Sequence, residues 1–240
     1  MTTDLHTQFP YRSLLAVCAH PDDESFGLGA VISTLREAGV ATSLLCFTHG
    51  EASTLGTGSD DLARRRADEL TAAANVLGLR SVSLHSFRDG HLAEVPVENL
   101  CARLDSFIDA GDFDCLLAFD EDGITGHLDH RQATTAARTV AHRRGLPLLA
   151  WTLTRAVADA LNEEFRAGFV GRELPEIDIT LDVDRTLQRD AISCHASQSA
   201  DNPVMRRRLS LQGNTEVLVW LAHRHEGTPG AVPRTTGSPC

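Results

Sequence analysis

Short apolar runs alternate with helical segments through the first 150 residues of this chain, and few folds accommodate that order. Residues 14–19 form an apolar run too short for a helix, which predicts a buried strand. Apolar side chains then recur at helical spacing over residues 26–38 (Phe26, Ala30, Val31, Leu35, Ala38), and Gly39 supplies a C-terminal stop. The same order returns, with strands predicted over 41–48, 82–87, 114–120 and 146–153 and helices over 60–77, 97–110 and 128–144. Parallel neighbours need a crossover, usually a helix. The alternation therefore predicts an α/β fold: a Rossmann-like doubly wound sheet, mostly parallel, in a single domain with strand order 3-2-1-4-5 and C-terminal additions. Beyond Trp151 the regularity fades into a helix over 155–166, a strand-like run over 177–183 and a helix over 184–196. The domain is expected to occupy residues 1–225. Residues 226–240, rich in Gly, Pro and Thr, are expected to form a disordered tail.

With 240 residues, 42% of them apolar, the chain can bury one sizeable core. Its formal net charge of −11 argues against a broad electrostatic grip on nucleic acid or on an anionic membrane surface. A small-molecule substrate fits better, and self-association into a homo-oligomer is left open. All 22 basic residues are arginine. Without a lysine amine, a Walker-type phosphate loop, a Schiff base and a Ser-Lys hydrolase are excluded. Residues 1–10 lack the basic start and apolar core of a signal peptide, and no apolar run is long enough to cross a bilayer, so a cytoplasmic location is expected. The six cysteines show no C-x-x-C spacing and read as mostly buried free thiols.

Two stretches hold most of the metal-binding and proton-transfer chemistry: His20-Pro21-Asp22-Asp23-Glu24 and His127-Leu128-Asp129-His130. The first follows predicted strand one, the second predicted strand four. In doubly wound sheets ligands bind outside the carboxyl ends of the strands where the order reverses, so these distant stretches are predicted to meet. His20 and Asp23 can direct two side chains at one ion. One imidazole of the second stretch can complete a two-His, one-carboxylate set while the other stays free beside it, and Asp129 can orient a ring through a hydrogen bond. Three protein ligands leave a position for water, as in catalytic zinc sites, where the ion brings the water pKa to roughly 7. Asp22 can accept the water's proton. A protonated His127 can stabilise the oxyanion formed when water attacks an amide carbonyl, a contribution of about 2.7 to 4 kcal/mol per donor. Either stretch alone also reads as a helix N-cap with a hydrogen-bonded imidazole. The two together favour one zinc ion per chain.

Five motifs resemble the zinc-dependent N-acetylglucosaminyl de-N-acetylases, the group that includes the LmbE-like and PIG-L proteins. They are A-H-P-D-D-E at 19–24, T-H-G-E at 48–51, R-A-D-E at 66–69, G-I-T-G-H-L-D-H-R at 123–131 and H-A-S-Q at 195–198, and the first and fourth carry the specificity. The resemblance implies zinc ligation by His20, Asp23 and His130, with Asp22 as general base and His127, held by Asp129, as the oxyanion-stabilising partner. It also implies substrate contacts by Arg66 and Asp89, with Glu51 on an adjacent pocket loop. Apart from the resemblance, Arg66 reads as a solvated helix face and Asp89 as a turn residue before Gly90. Leu128 stands where family members often carry proline, a difference expected to alter the turn more than the chemistry. The implied activity is hydrolytic removal of an N-acyl group, acetyl foremost, from an amino sugar or its glycoconjugate.

Other readings compete. Gly27-Leu28-Gly29 suggests a dinucleotide-binding oxidoreductase, but the third glycine of that fingerprint would fall at Ile32. A metal-dependent amidase of thiol conjugates, a non-haem iron oxygenase and a non-catalytic sugar-binding module use the same ligand set or pocket. There is no G-x-S-x-G, and Cys194 beside His195 is a poor dyad because neighbouring helical side chains diverge. His195 is expected to support the pocket or a zinc ligand. The runs Arg64-Arg65-Arg66 and Arg206-Arg207-Arg208 read as solvated faces.

Overall fold

A computed structural model describes residues 9–55 and 61–223. Five strands, β1 (Ser13–Cys18), β2 (Ala41–Thr48), β3 (Val82–Phe87), β4 (Cys115–Phe119) and β5 (Leu148–Thr152), pair in parallel. Two more, β6 (Ile179–Asp182) and β7 (Thr215–Ala222), complete a seven-stranded sheet of order β3-β2-β1-β4-β5-β7-β6, with β7 antiparallel to both its neighbours. The predicted order 3-2-1-4-5 is present, and β7 inserts between β5 and β6. The helices are α1 (Gly29–Glu37), α2 (Leu62–Leu77), α3 (Val97–Asp109), α4 (Leu128–Arg144), α5 (Arg155–Phe165), α6 (Thr186–Cys194) and α7 (Pro203–Gln212). Among the described residues no helix is long and apolar enough to cross a membrane. The tail predicted over 226–240 lies outside the described residues.

Both faces of the central strands are covered. Along β1, Leu14, Ala16 and Cys18 enter one apolar cluster with residues of α1 and α2, while Leu15 and Val17 enter the other with residues of α3 and α4. A strand buried on two faces needs apolar residues at every position, which is why it appears in the sequence as an unbroken run rather than an alternation. The edge strand β3, with Ser83, His85 and Ser86, is partly exposed throughout.

Two segments differ from expectation. The helix predicted over 26–38 is broken: a single turn at Asp23–Phe26 ends at Gly27, and α1 starts at Gly29. A Cβ at Gly27 would lie 2.6 Å from the Phe119 ring, so the chain turns here with its backbone against that ring. Strand β7 was not predicted at all. It arrives after α7, whose buried residues are only Met205 and Arg208, so no apolar periodicity announces the unit.

Loops at the carboxyl end of the sheet are pinned by polar contacts. Asp120, fully buried just after β4, accepts two hydrogen bonds from Arg172, from Nε at 2.8 Å and Nη2 at 2.7 Å. Burial pushes the Asp120 carboxyl up, but the Arg172 guanidinium, together with hydrogen bonds that include the Glu121 N–H, holds it below the usual range. Because folding lowers this pKa, the stabilisation is fully present above the unfolded value of about 3.9 and is lost as pH falls through the folded one. Arg172→Ala, which leaves a buried carboxylate unpaired, is expected to cost about 3 kcal/mol in urea denaturation at pH 7. The cost should shrink once the pH drops below 4; an equal loss at pH 3 would refute the pairing as its cause.

Candidate metal centre and substrate cleft

Strand β1 pairs with β2 on one side and β4 on the other, so the winding reverses between β1 and β4. The turn after β1 and the loop after β4 meet there, as the topology predicts. Asp23 Oδ2 accepts from the backbone N–H groups of Ala19 at 3.0 Å and His20 at 2.9 Å, and Oδ1 lies 3.1 Å from His130 Nε2. His20 Nδ1 stands 3.1 Å from His130 Nε2. Ligand atoms of His20, Asp23 and His130 all lie within 4.8 Å of one another.

The outer nitrogens decide what the inner ones can do. His20 Nε2 lies 3.0 Å from Asp89 Oδ1 and 3.3 Å from Asp129 Oδ2, and His130 Nδ1 lies 3.3 Å from the Gly123 carbonyl. Each outer nitrogen faces acceptors and therefore carries the ring proton, a tautomer assigned from these partners. Both inner nitrogens are then bare lone pairs 3.1 Å apart with a carboxylate oxygen beside them. Such an arrangement is repulsive unless a proton or a cation lies between, and about 3.3 Å is the spacing of ligand atoms around a tetrahedral ion with bonds of about 2.0–2.1 Å. The donor set therefore fits a divalent ion. With a proton instead, burial disfavours the His20 cation, yet Asp129 and Asp89 outweigh it and raise His20 to about 10. The Asp23 carboxyl, despite burial, is held well below the usual carboxylate range by His130 and His20.

Asp22 points its carboxylate elsewhere. Its Oδ2 lies 3.0 Å from Arg66 Nη2, and burial raises its carboxyl to about 6 against the pull of that guanidinium. Its backbone φ is 136°, and Ile124 on the opposite loop has φ 66°. Non-glycine residues in such conformations cost of order 1–3 kcal/mol each and persist only where their surroundings hold them. At Asp22 the hold is visible: its N–H donates to Glu24 Oε2 at 3.0 Å, and Glu24 Oε1 lies 2.6 Å from His195 Nε2, both side chains being fully buried. The Glu24 carboxylate was missed at the sequence level, although it sits inside the first motif.

Arg66 is buried, not on a solvated face. It donates to the carbonyls of Gly50, at 2.6 Å, and Pro21, fastening the loop after β2 to the turn after β1. Gly50 has φ 65°, and a Cβ there would meet the Arg66 guanidinium at 2.1 Å, so only glycine fits. Asp89 Oδ2 accepts from Ala52 N at 2.8 Å, and Glu51 Oε1 accepts from Asp89 N at 3.0 Å. Arg66 and Asp89 line the cleft; Glu51 is exposed and braces Asp89 from behind.

The expected contact between the Asp129 carboxylate and His127 is replaced by another. Asp129 is fully buried in the first turn of α4, where the N–H groups of Gly90 and Leu92 need an acceptor, and its carboxylate takes both, at 2.8 and 3.0 Å, besides facing His20. His127 instead caps α4, with Nδ1 accepting from Asp129 N at 3.2 Å. Its proton is therefore on Nε2. Burial, with the positive charge that a proton or a cation brings to the His20–His130 pair, lowers its pKa below the ordinary value, so the ring is a neutral donor rather than an imidazolium.

These residues open on a cleft of about 530 Å³, walled further in by Phe119, Trp151, Phe169 and Met205. The dinucleotide-binding and cysteine-dyad readings find no support in the packing. Gly27 and Gly29 face the side chains of Phe119 and Gln188. Cys194 Sγ donates to the Asp190 carbonyl at 3.5 Å while His195 is committed to Glu24.

A doubly wound α/β sheet with a two-His, one-carboxylate set and a separate carboxylate at its switch point defines the class. The chain belongs to the family PIG-L: GlcNAc-PI de-N-acetylase, whose model matches residues 15–141. It is 32% identical over 178 residues to a 1D-myo-inositol 2-acetamido-2-deoxy-alpha-D-glucopyranoside deacetylase of Nakamurella multipartita, covering 60% of this chain and 58% of the relative. It is 30% identical over 222 residues to a probable N-acetyl-alpha-D-glucosaminyl L-malate deacetylase 2 of Bacillus anthracis, covering 88% of this chain and 92% of that one. The chain thus spans only about half the length of several curated relatives it matches, with 52% and 48% of two others covered. Among solved structures it is similar to the N,N'-diacetylchitobiose deacetylase from Pyrococcus horikoshii, at TM-score 0.67 and 21% identity over 91% of this chain and 87% of that one. It is equally similar in fold to a 4-carboxy-2-hydroxymuconate hydratase from Pseudomonas putida, at TM-score 0.67 and 18% identity over 91% and 99%. At these identities the likeness shows the fold alone.

If Asp129 fixes the His20 tautomer, Asp129→Asn is expected to weaken divalent-metal binding about 10- to 100-fold. Competition with a chromophoric chelator measures this, and an unchanged affinity would sink the assignment.

Proposed function

We propose that this chain is a zinc-dependent hydrolase that removes an N-acyl group, acetyl foremost, from an amino sugar or its glycoconjugate. The observation that carries the reading is the pair of inward imidazole acceptors, His20 Nδ1 and His130 Nε2, beside Asp23 Oδ1. Family membership supplies the reaction class. A zinc ion held by these three side chains would supply Lewis acidity and bring the pKa of water to roughly 7.

The chain's own residues do the rest. Asp22, recessed and raised to about 6, accepts the proton of the attacking water and returns it to the leaving amine. Arg66, 3.0 Å away, holds that carboxylate in place. His127 offers Nε2–H to the oxygen on which charge develops, and its neutral state means that it donates a hydrogen bond without first needing a proton. Asp89 and Asp129 keep the His20 proton on Nε2 and so keep Nδ1 available. We assign the activity to a single domain over residues 1–225. The free thiols of Cys18, Cys46, Cys101, Cys115 and Cys194 support a reducing, cytoplasmic setting.

Release of primary amine and acetate from N-acetylglucosamine conjugates, lost on chelation and restored by zinc, tests the reading; turnover that needs iron and oxygen and yields no acetate would overturn it. Asp22→Asn is expected to lower kcat about 10²- to 10⁴-fold with zinc content unchanged. His127→Ala is expected to lower kcat about 10²- to 10³-fold, again with full zinc occupancy by elemental analysis. Loss of zinc in step with activity in either variant would reassign that residue to the metal.

A further inference from the structure

The cleft extends past the metal ligands along a wall of rings. The His130 imidazole lies 4.8 Å from the Phe119 ring, Phe119 lies 5.2 Å from Trp151, and the Arg208 guanidinium sits 5.1 Å from the Trp151 ring centroid. All four side chains line the same cavity. Arg208 is only 5% exposed. Its Nη1 donates to Gln212 Oε1 at 2.6 Å and its Nη2 to the Phe26 carbonyl, and both acceptors are neutral.

Among the described residues no carboxylate pairs directly with Arg208. Glu216 attracts it and Arg185 repels it. Glu216, however, is already committed, accepting from Arg185 Nη1 at 2.5 Å, Trp151 Nε1 at 2.7 Å and Gln212 Nε2 at 2.9 Å. Two buried guanidinium groups thus share one buried carboxylate, leaving an excess positive charge at the cavity wall. The other buried cation of the cleft, Arg66, differs in having Asp22 as an ion-pair partner. Holding an unmatched charge out of water is unfavourable, and a ligand anion that reaches it recovers much of that cost. Burial lowers Arg208 only to about 10, so it stays charged at neutral pH. A guanidinium has five N–H donors, and with two engaged the remainder can bind a carboxylate or phosphate edge.

We propose that Arg208 receives an anionic group of the substrate, a carboxylate or phosphate, at the ring-walled end of the cleft, and so sets a preference for negatively charged amino-sugar conjugates. The inference rests on the hydrolase reading and narrows its substrate class. The anion has two sources, the aglycone or a dicarboxylic N-acyl group. Gln212, bonded to both Arg208 and Glu216, is a positioning residue for the guanidinium.

The test compares glucosamine conjugates on the zinc-loaded, full-length protein: N-acetyl with a neutral alkyl aglycone, N-acetyl with a carboxyalkyl or phosphoalkyl aglycone of equal length, and N-succinyl with the neutral aglycone. At least one anionic conjugate is expected to show kcat/KM tenfold or more above the neutral one, mainly through KM, and the winning arm names the source. Arg208→Gln should abolish that preference and Arg208→Lys should retain part of it. The ratio between substrates on one preparation does not depend on the fraction folded; if Arg208→Gln fails to fold, the unmutated protein and Arg208→Lys decide. Equal hydrolysis of all conjugates by the unmutated protein, or a preference that survives Arg208→Gln, overturns the inference and leaves the hydrolase reading standing. No amine from any conjugate overturns both.

Discussion

A single buried carboxylate, that of Asp129, ties three separate stretches of chain into one site. It belongs to the first turn of α4, it accepts the N–H groups of Gly90 and Leu92 after β3, and it faces His20 after β1. Water does not reach it, so each of these contacts acts in a low-dielectric setting where losing one partner leaves the others poorly compensated. Held this way, the loop after β3 also brings Asp89 onto the same imidazole nitrogen. The inner face of the site, His20 Nδ1 with His130 and Asp23, depends on this outer shell of acceptors rather than on the three inner residues alone.

The sheet that carries these loops was legible because parallel strands covered on both faces read as apolar runs: β4 is apolar throughout, and β1, β2 and β5 each hold a run of at least four apolar residues with polar ones only towards their ends. Strand β7 was not legible. It enters antiparallel, and the helix before it presents arginines where an apolar stripe would have advertised a core-facing element. Within the site, the two His/Asp stretches could be read from their position at strand ends, while the direction of each side chain could not. Asp129 was expected on His127 and lies instead where backbone donors demanded an acceptor. Leu128, which differs from the family pattern, is 57% exposed, so the turn absorbs the difference outside the cleft.

The two arginine triplets show a more general limit. In 64–66 and in 206–208 the first two residues are exposed and the third is buried. Successive residues on a helix diverge by about 100°, so three like residues in a row cannot all share one environment. Composition marks such a run as solvated, but geometry turns one member inward. Here the inward members, Arg66 and Arg208, are the cations of the cleft.

The pairing of Glu24 with His195 joins the first motif to a segment 171 positions later in the chain. The turn that carries Asp22 in its unusual conformation is therefore braced by the part of the molecule that also forms the cleft's far wall. Remodelling specificity by exchanging everything after β5 for a homologous segment would remove that brace unless the graft brought its own imidazole to the same spot. The turn that carries Asp22 and the cleft's far wall are consequently not separable modules, and a viable chimera has to inherit them together.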